Sequence, residues 1–240
     1  HRKNAIIVGN SHATDTLNLL SRTNYKKKIY FNRASPKMLR EETSNFQITE
    51  LYEMLIKKKE FTEFKKGNFF NNFKEQYDNA DLIILSSQYS NNDLDILGNL
   101  IEILKNDNKK IIIFDNALNQ TMRAGFNRLD YYVYRNKKLP NKDILKMIEK
   151  DMFLDLGNMK KVNKKIELIA KKNDVFLIKR EKIFCNFNQK SCPSLTEEGY
   201  KIYWDYGHIT DKGAEFFAKI IENDELFLKY LNSILRQTSH

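Results

Sequence analysis

Only two cysteines and four histidines occur in 240 residues. They are Cys185 and Cys192, and His1, His12, His208 and His240, so no group of thiols and imidazoles has the spacing of a zinc-binding element. No metal is expected. No run of about 20 apolar residues is present, which leaves nothing to cross a bilayer as a helix. The N-terminus enters an apolar segment almost at once, so no signal peptide is expected. Internal repeats, low-complexity linkers and nucleic-acid motifs are also missing. What is there, 41% hydrophobic and 12% aromatic residues, is enough for a sizeable core, and a single domain over residues 1–240 is expected.

Charge is the strongest bias. Lysine and arginine exceed the acidic residues by ten, which raises the question of a polyanionic partner. The lysines come in short, dispersed runs such as Lys26-Lys27-Lys28, Lys57-Lys58-Lys59 and Lys171-Lys172. That pattern reads as solvated helix faces, with a surface for anionic glycan or lipid head groups as the sharper alternative. No nucleic-acid partner is expected.

Five short apolar runs read as strands: residues 5–8, 28–32, 81–86, 110–114 and 175–178. Helical patterns separate them at residues 14–20, 48–77 (with a break at Gly67-Asn68), 93–105 and 143–172 (with a break near Gly157-Asn158), and two more helices end the chain. Residues 115–134 look irregular. There Tyr131, Tyr132 and Tyr134, with Arg123 and Arg128, either line a sugar-binding rim or pack a long excursion. Strands alternating with helices predict an α/β fold, a doubly wound parallel sheet of five strands in three α/β/α layers. In a flavodoxin-like strand order the ends of the first and fifth strands both reach the sheet's carboxyl edge.

Two stretches carry candidate chemistry. In Gly9-Asn10-Ser11-His12-Ala13, Ser11 falls at a strand-to-helix turn, with its own N–H placed for developing negative charge. Near the other end, Asp205-Tyr206-Gly207-His208 precedes Thr210-Asp211, plausible N-cap residues of an amphipathic helix. A carboxylate can fix the tautomer of a histidine base, and Ser, Asp and His can form a triad in any chain order. His12, next to Ser11 on a helix, points elsewhere and reads as structural or as part of the rim. A serine after Gly-Asn can also be only a cap, and Asp-x-x-His only a capping arrangement.

The first stretch resembles the Gly-Asp-Ser block of SGNH/GDSL hydrolases, with Asn10 in place of the usual Asp, and the second resembles their Asp-x-x-His block. The chain is most similar to the SGNH domain attached to membrane acyltransferases (acyltransferase family 3) that O-acetylate bacterial surface polysaccharides. That likeness adds Cys185…Cys192, Gly199-Tyr200-Lys201-Ile202-Tyr203, His208-Ile209-Thr210 and Gly213-Ala214. It implies a flavodoxin-like SGNH hydrolase fold in which His208 deprotonates Ser11, Asp205 orients His208 and Ser11 becomes acylated. The oxyanion hole would take the Ser11 N–H and a loop N–H near Ala34 or Ser35. The family's Gly-x-Asn-Asp block is missing, leaving Asn91, Asn92 or Gln88 to offer a side-chain amide.

The resemblance further implies an O-acyltransferase acting on a glycan hydroxyl such as that of lipopolysaccharide O-antigen or capsule. The acyl group would come ultimately from a donor such as acetyl-CoA through a membrane partner domain, with no cofactor in this chain. It implies a fragment of a longer protein, on the periplasmic face and tethered to the inner membrane. A carbohydrate O-acetyl esterase and a catalytically silent glycan-binding domain are the alternatives. Cys185 and Cys192 read as a disulfide closing a short loop in an oxidising compartment, or else as two free thiols of a cytosolic protein.

Overall fold

The computed structural model describes residues 2–34, 47–56 and 67–236. Five strands form one sheet: β1 (Lys3–Val8), β2 (Ile29–Arg33), β3 (Leu82–Ser86), β4 (Lys110–Phe114) and β5 (Phe176–Ile178). Their order is β2-β1-β3-β4-β5, and every neighbouring pair is parallel. This is the expected α/β architecture in the flavodoxin-like order.

The strands are continuous apolar runs because both faces of the sheet are covered. Side chains alternate across it with period two. Ala5, Ile7, Leu82, Ile84, Ile112 and Phe114 share one cluster with helices α1 (Ser11–Leu20), α9 (Asp211–Ile221) and α10 (Glu225–Arg236). Ile6, Val8, Ile83, Leu85, Ile111 and Ile113 face the other, with α2 (Ile48–Ile56), α3 (Gly67–Asp78), α4 (Asn91–Asn106) and α7 (Lys160–Lys172). α6 (Lys142–Asp155) joins the first cluster through Ile148 and Met152.

The stretch expected to be irregular contains a helix, α5 (Arg128–Asn136). Asn127 starts it, its side chain accepting the Asp130 N–H at 2.9 Å. It packs on the core through Leu129, its one buried residue, and the partly buried Tyr132. A further short helix, α8 (Arg180–Phe184), follows β5 directly. Cys185 and Cys192 form a disulfide. It closes a loop pinned to α6, where the Cys192 N–H donates to the Glu149 carbonyl at 3.1 Å.

In this strand order the chain leaves β1 and β3 toward opposite sides, opening a crevice at their carboxyl ends. Gly9 turns the chain from β1 into α1 at that crevice. Its φ is +151°, and a Cβ there would lie 1.8 Å from the Ser86 carbonyl oxygen at the end of β3. No other residue fits, because backbone would have to move away from backbone. Gly9→Ala is therefore expected to cost about 3 kcal/mol or more, or to prevent folding. Urea denaturation checks this, and a variant as stable as the parent would contradict the packing described.

Candidate active site

Ser11 opens α1 at the crevice, half-buried. Asn10 caps the helix and fastens it to the loop after β3. Its Oδ1 accepts the N–H of His12 and of Gln88, both at 3.2 Å, and its Nδ2 donates to the Gln88 carbonyl at 3.3 Å. The last of these bonds needs an amide, which accounts physically for Asn in place of Asp at this position.

His208 arrives from the other end of the chain. Its backbone belongs to a narrow hairpin in which Tyr203 pairs with Ile209, closed by Trp204 N–H to the His208 carbonyl (2.8 Å) and Thr210 N–H to the Ile202 carbonyl (2.8 Å). Thr210 then caps α9, accepting the Gly213 N–H at 2.9 Å. Gly207 lets the hairpin press against the segment after β4: a Cβ would lie 2.5 Å from the Leu118 carbonyl oxygen and 3.3 Å from the His12 ring. The Gln120 N–H donates to the Tyr206 carbonyl at 2.7 Å on the same seam.

Ser11 Oγ lies 3.0 Å from His208 Nε2, as the sequence led one to expect. The carboxylate on the other side of the ring is Asp15, whose Oδ2 lies 2.8 Å from His208 Nδ1. Asp205 serves the backbone instead. Its Oδ1 accepts the N–H of Gly207 at 3.0 Å and of His208 at 2.9 Å, which ties the hairpin turn. The expectation that Asp205 orients the imidazole is thus corrected: three residues before His208, it closes a tight turn and cannot also reach across the ring. Asp15 can, because it sits one helical turn after Ser11 on the same face of α1.

His12 lies under the site, not on its rim. It is 1% exposed, its ring stacks on that of His208 at 4.2 Å, and its Nδ1 lies 3.1 Å from the same Asp15 Oδ2. A carboxylate only accepts, so both imidazoles carry their proton on Nδ1, and Nε2 of His208 is left to accept from the serine hydroxyl.

The titration of the three groups follows from this geometry. Hydrogen bonding to Asp15 holds the His208 pKa above its ordinary value, against the opposing effect of burial. Burial alone would raise Asp15, but the hydrogen bonds from the two histidines win and leave its carboxyl below the usual range. Burial lowers His12, keeping it neutral where His208 can still charge. His12, Asp15 and His208 are also the group among the described residues that could hold a metal ion, one ligand atom from each lying within 4.8 Å of the others. Those atoms already hydrogen-bond to one another, so a cation there would compete with the contacts that aim His208 at Ser11.

Two arginines that the sequence reading passed over support the site. Arg33, at the end of β2, donates to Thr14 Oγ1 (2.6 Å) and to the Asn10 carbonyl (3.2 Å). Arg180, wholly buried, donates to Thr16 Oγ1 (3.0 Å), to Ser86 Oγ and to the carbonyls of Ser87 and Asp115, tying α1 to the ends of β3 and β4. Only the fold reveals it: the sequence shows an arginine after a strand, a common exposed position.

The expected oxyanion donors fare differently. Ser11 N–H lies in the first turn of α1, where a helix offers it no acceptor of its own. Ala34 N–H is committed to the sheet ladder, donating to the Ile7 carbonyl at 3.0 Å, and its placement as an oxyanion donor is corrected for that reason. Ser35 lies outside the described residues. Asn91 is exposed on the first residue of α4, one position after the capping Ser90, and Gln88 Nε2 donates to Met159 Sδ at 2.9 Å. Of the possible sugar rim, Arg128 is taken up by Asp155, with both bonds at 2.9 Å, and Tyr132 packs on the core, while Tyr131 lies beside Arg123. A cavity of about 800 Å³ lies outside α9 between Lys182, Tyr200 and Phe216 and includes none of Ser11, Asp15 and His208.

The family model of the SGNH domain (fused to AT3 domains) matches residues 1–223. The chain belongs to this family. Among solved structures, this SGNH domain is similar to the periplasmic domain of a Salmonella ser. Paratyphi A lipopolysaccharide acetyltransferase. The TM-score is 0.54 at 18% identity, over 94% of this chain and 84% of that one. It also matches a putative acylhydrolase from Bacteroides fragilis, with a TM-score of 0.42 at 12% identity, over 98% and 88% of the two chains. No curated protein matches it in sequence. Among the described residues, no helix is long and apolar enough to cross a membrane.

The geometry sets a pH test. If neutral His208 is the base, ester cleavage fails as pH falls through its raised pKa, so the acid limb lies above about 6.5, the ordinary histidine value. Asp15→Asn should move that limb downward and reduce kcat by roughly a thousandfold or more. Asp205→Asn, which keeps a carbonyl for the turn, should cost less than about tenfold. The His208–Asp15 attraction also stabilises the fold fully below about pH 6.5 and fades as pH rises through the raised value. A larger loss in Asp205→Asn than in Asp15→Asn would reverse the assignment of the ring partner.

Proposed function

We propose that this SGNH domain is an O-acyltransferase working through an acyl-Ser11 intermediate. The observation that carries the reading is the continuous contact Ser11 Oγ–His208 Nε2 (3.0 Å), His208 Nδ1–Asp15 Oδ2 (2.8 Å) at the carboxyl edge of the sheet. His208 takes the hydroxyl proton as Ser11 Oγ attacks the acyl carbonyl, Asp15 holds the imidazolium, and the Ser11 N–H steadies the oxyanion. The proton passes to the leaving alcohol or thiol. A second hydroxyl then gives its proton to His208 and attacks the acyl-serine; the acyl–Oγ bond breaks, His208 returns the proton to Ser11 Oγ, and the new ester leaves.

The acceptor in this proposal is a hydroxyl of a bacterial surface glycan, such as lipopolysaccharide O-antigen or capsule. Membership of a family fused to AT3 domains supports an acyl supply from a membrane partner, ultimately from a donor such as acetyl-CoA. It also supports reading residues 1–240 as a single domain cut from a longer membrane protein. The disulfide favours an oxidising, periplasmic setting. Water in place of the sugar hydroxyl would make the same intermediate a carbohydrate esterase, and half-buried Ser11 is open enough to admit either.

The test is intact-protein mass after exposure to p-nitrophenyl acetate or a serine-directed phosphonate. Wild type should gain one adduct, and Ser11→Ala none. Offering glycans against water to the acyl-enzyme then separates transfer from hydrolysis. A wild type that never acquires an adduct would count against an activated serine and in favour of a silent binding domain.

A further inference from the structure

Trp204 is the single tryptophan of the chain, and it is 67% exposed. Exposed apolar residues standing singly are common on folded domains, so what sets this one apart is its position. Tyr203 pairs with Ile209 across the hairpin, so Trp204 stands opposite His208 one step along. Side chains alternate between the faces of such a pair: Tyr203 and Ile209 are 2% and 3% exposed, so Trp204 and His208 share the outer face. Directly opposed residues have Cβ atoms about 5 Å apart. The Trp204 and His208 side chains therefore leave the hairpin on the same face, and His208 is the one that contacts Ser11.

The backbone that carries the indole is anchored. Trp204 N–H donates to the His208 carbonyl at 2.8 Å, and the Trp204 carbonyl accepts from Lys201 Nζ at 3.3 Å and Asn127 Nδ2 at 3.4 Å. Lys201 is itself ion-paired to Asp130 in the first turn of α5, so charged hydrogen-bonding groups adjoin the Trp204 backbone. An exposed flat ring on an anchored backbone, with Lys201 and Asn127 close to that backbone, matches a pyranose, whose axial C–H face is apolar and whose rim is hydroxyls. The ring's negative face attracts those C–H groups.

We infer that Trp204 is the acceptor subsite: a platform on which one sugar ring of the glycan stacks, bringing a hydroxyl to acyl-Ser11. This inference rests on the proposed acyl transfer, but it can be read without catalysis, because the single tryptophan makes indole fluorescence report on this position alone.

Titrating Ser11→Ala with methyl β-glucopyranoside, methyl β-galactopyranoside and a neutral dextran should shift and quench that fluorescence saturably. In the active protein, Trp204→Ala should lower kcat/KM for β-D-glucose pentaacetate, relative to that for p-nitrophenyl acetate, by about tenfold through KM, which corresponds to about 1.4 kcal/mol. Trp204→Phe should recover part of the loss. No saccharide response in Ser11→Ala together with an unchanged ratio in Trp204→Ala would overturn the subsite. So would a fluorescence response confined to phospholipid vesicles, which would make the indole a membrane contact. A saccharide response in a protein that forms no serine adduct would keep Trp204 as a sugar platform while removing the acyl-transfer reading.

Discussion

One carboxylate oxygen, Asp15 Oδ2, receives both imidazoles of the site: His208 Nδ1 at 2.8 Å and His12 Nδ1 at 3.1 Å. Taking that carboxylate out of water is costly, and two hydrogen bonds from ring N–H groups offset the cost only if both histidines present Nδ1. The requirement fixes both tautomers, and with them which nitrogen of His208 faces Ser11. His12 stacked beneath His208 keeps that ring from tilting. The orientation of His208 is thus set by an arrangement in which each member has little other place to go.

The surrounding fold serves this arrangement. Ser11, His12 and Asp15 come from two turns of a single helix, so their spacing is settled by helical geometry. What has to be brought in is His208, from nearly two hundred residues away. Gly207 admits the Leu118 carbonyl against the hairpin, Thr210 caps α9, and α9 packs beside α1 on one face of the sheet. Gly9 does the same at the start, letting the turn after β1 lie against Ser86. Arg180 spans the space beneath, its guanidinium satisfied by hydroxyls and carbonyls from three parts of the chain.

Much of this was legible in the sequence. Runs such as Ala5-Ile6-Ile7-Val8 and Lys110-Ile111-Ile112-Ile113-Phe114 announce strands buried on both faces, and Ser11 and His208 stand out because each lies at a turn into a helix. Asp205 was misleading because nearness in sequence to His208 suggested nearness to its ring, when the turn they share uses the carboxylate on backbone N–H groups. Asp15 left a faint signal, a carboxylate four residues after Ser11, but many helices carry such pairs at random. Ala34 lay in the expected loop, yet pairing of β2 with β1 consumes its N–H, and strand ends cannot be fixed to one residue from composition.

By itself the sequence determined the layers, the strands and the two residues whose side chains meet across the site. Local periodicity and turn chemistry encode those, and they act over a few residues at a time. The tertiary structure decided which carboxylate serves His208, that His12 is buried beneath it, that Arg180 is interior and that Trp204 faces out. Each of these depends on distances between segments far apart in the chain, set by how helices pack on a sheet, which no single segment specifies.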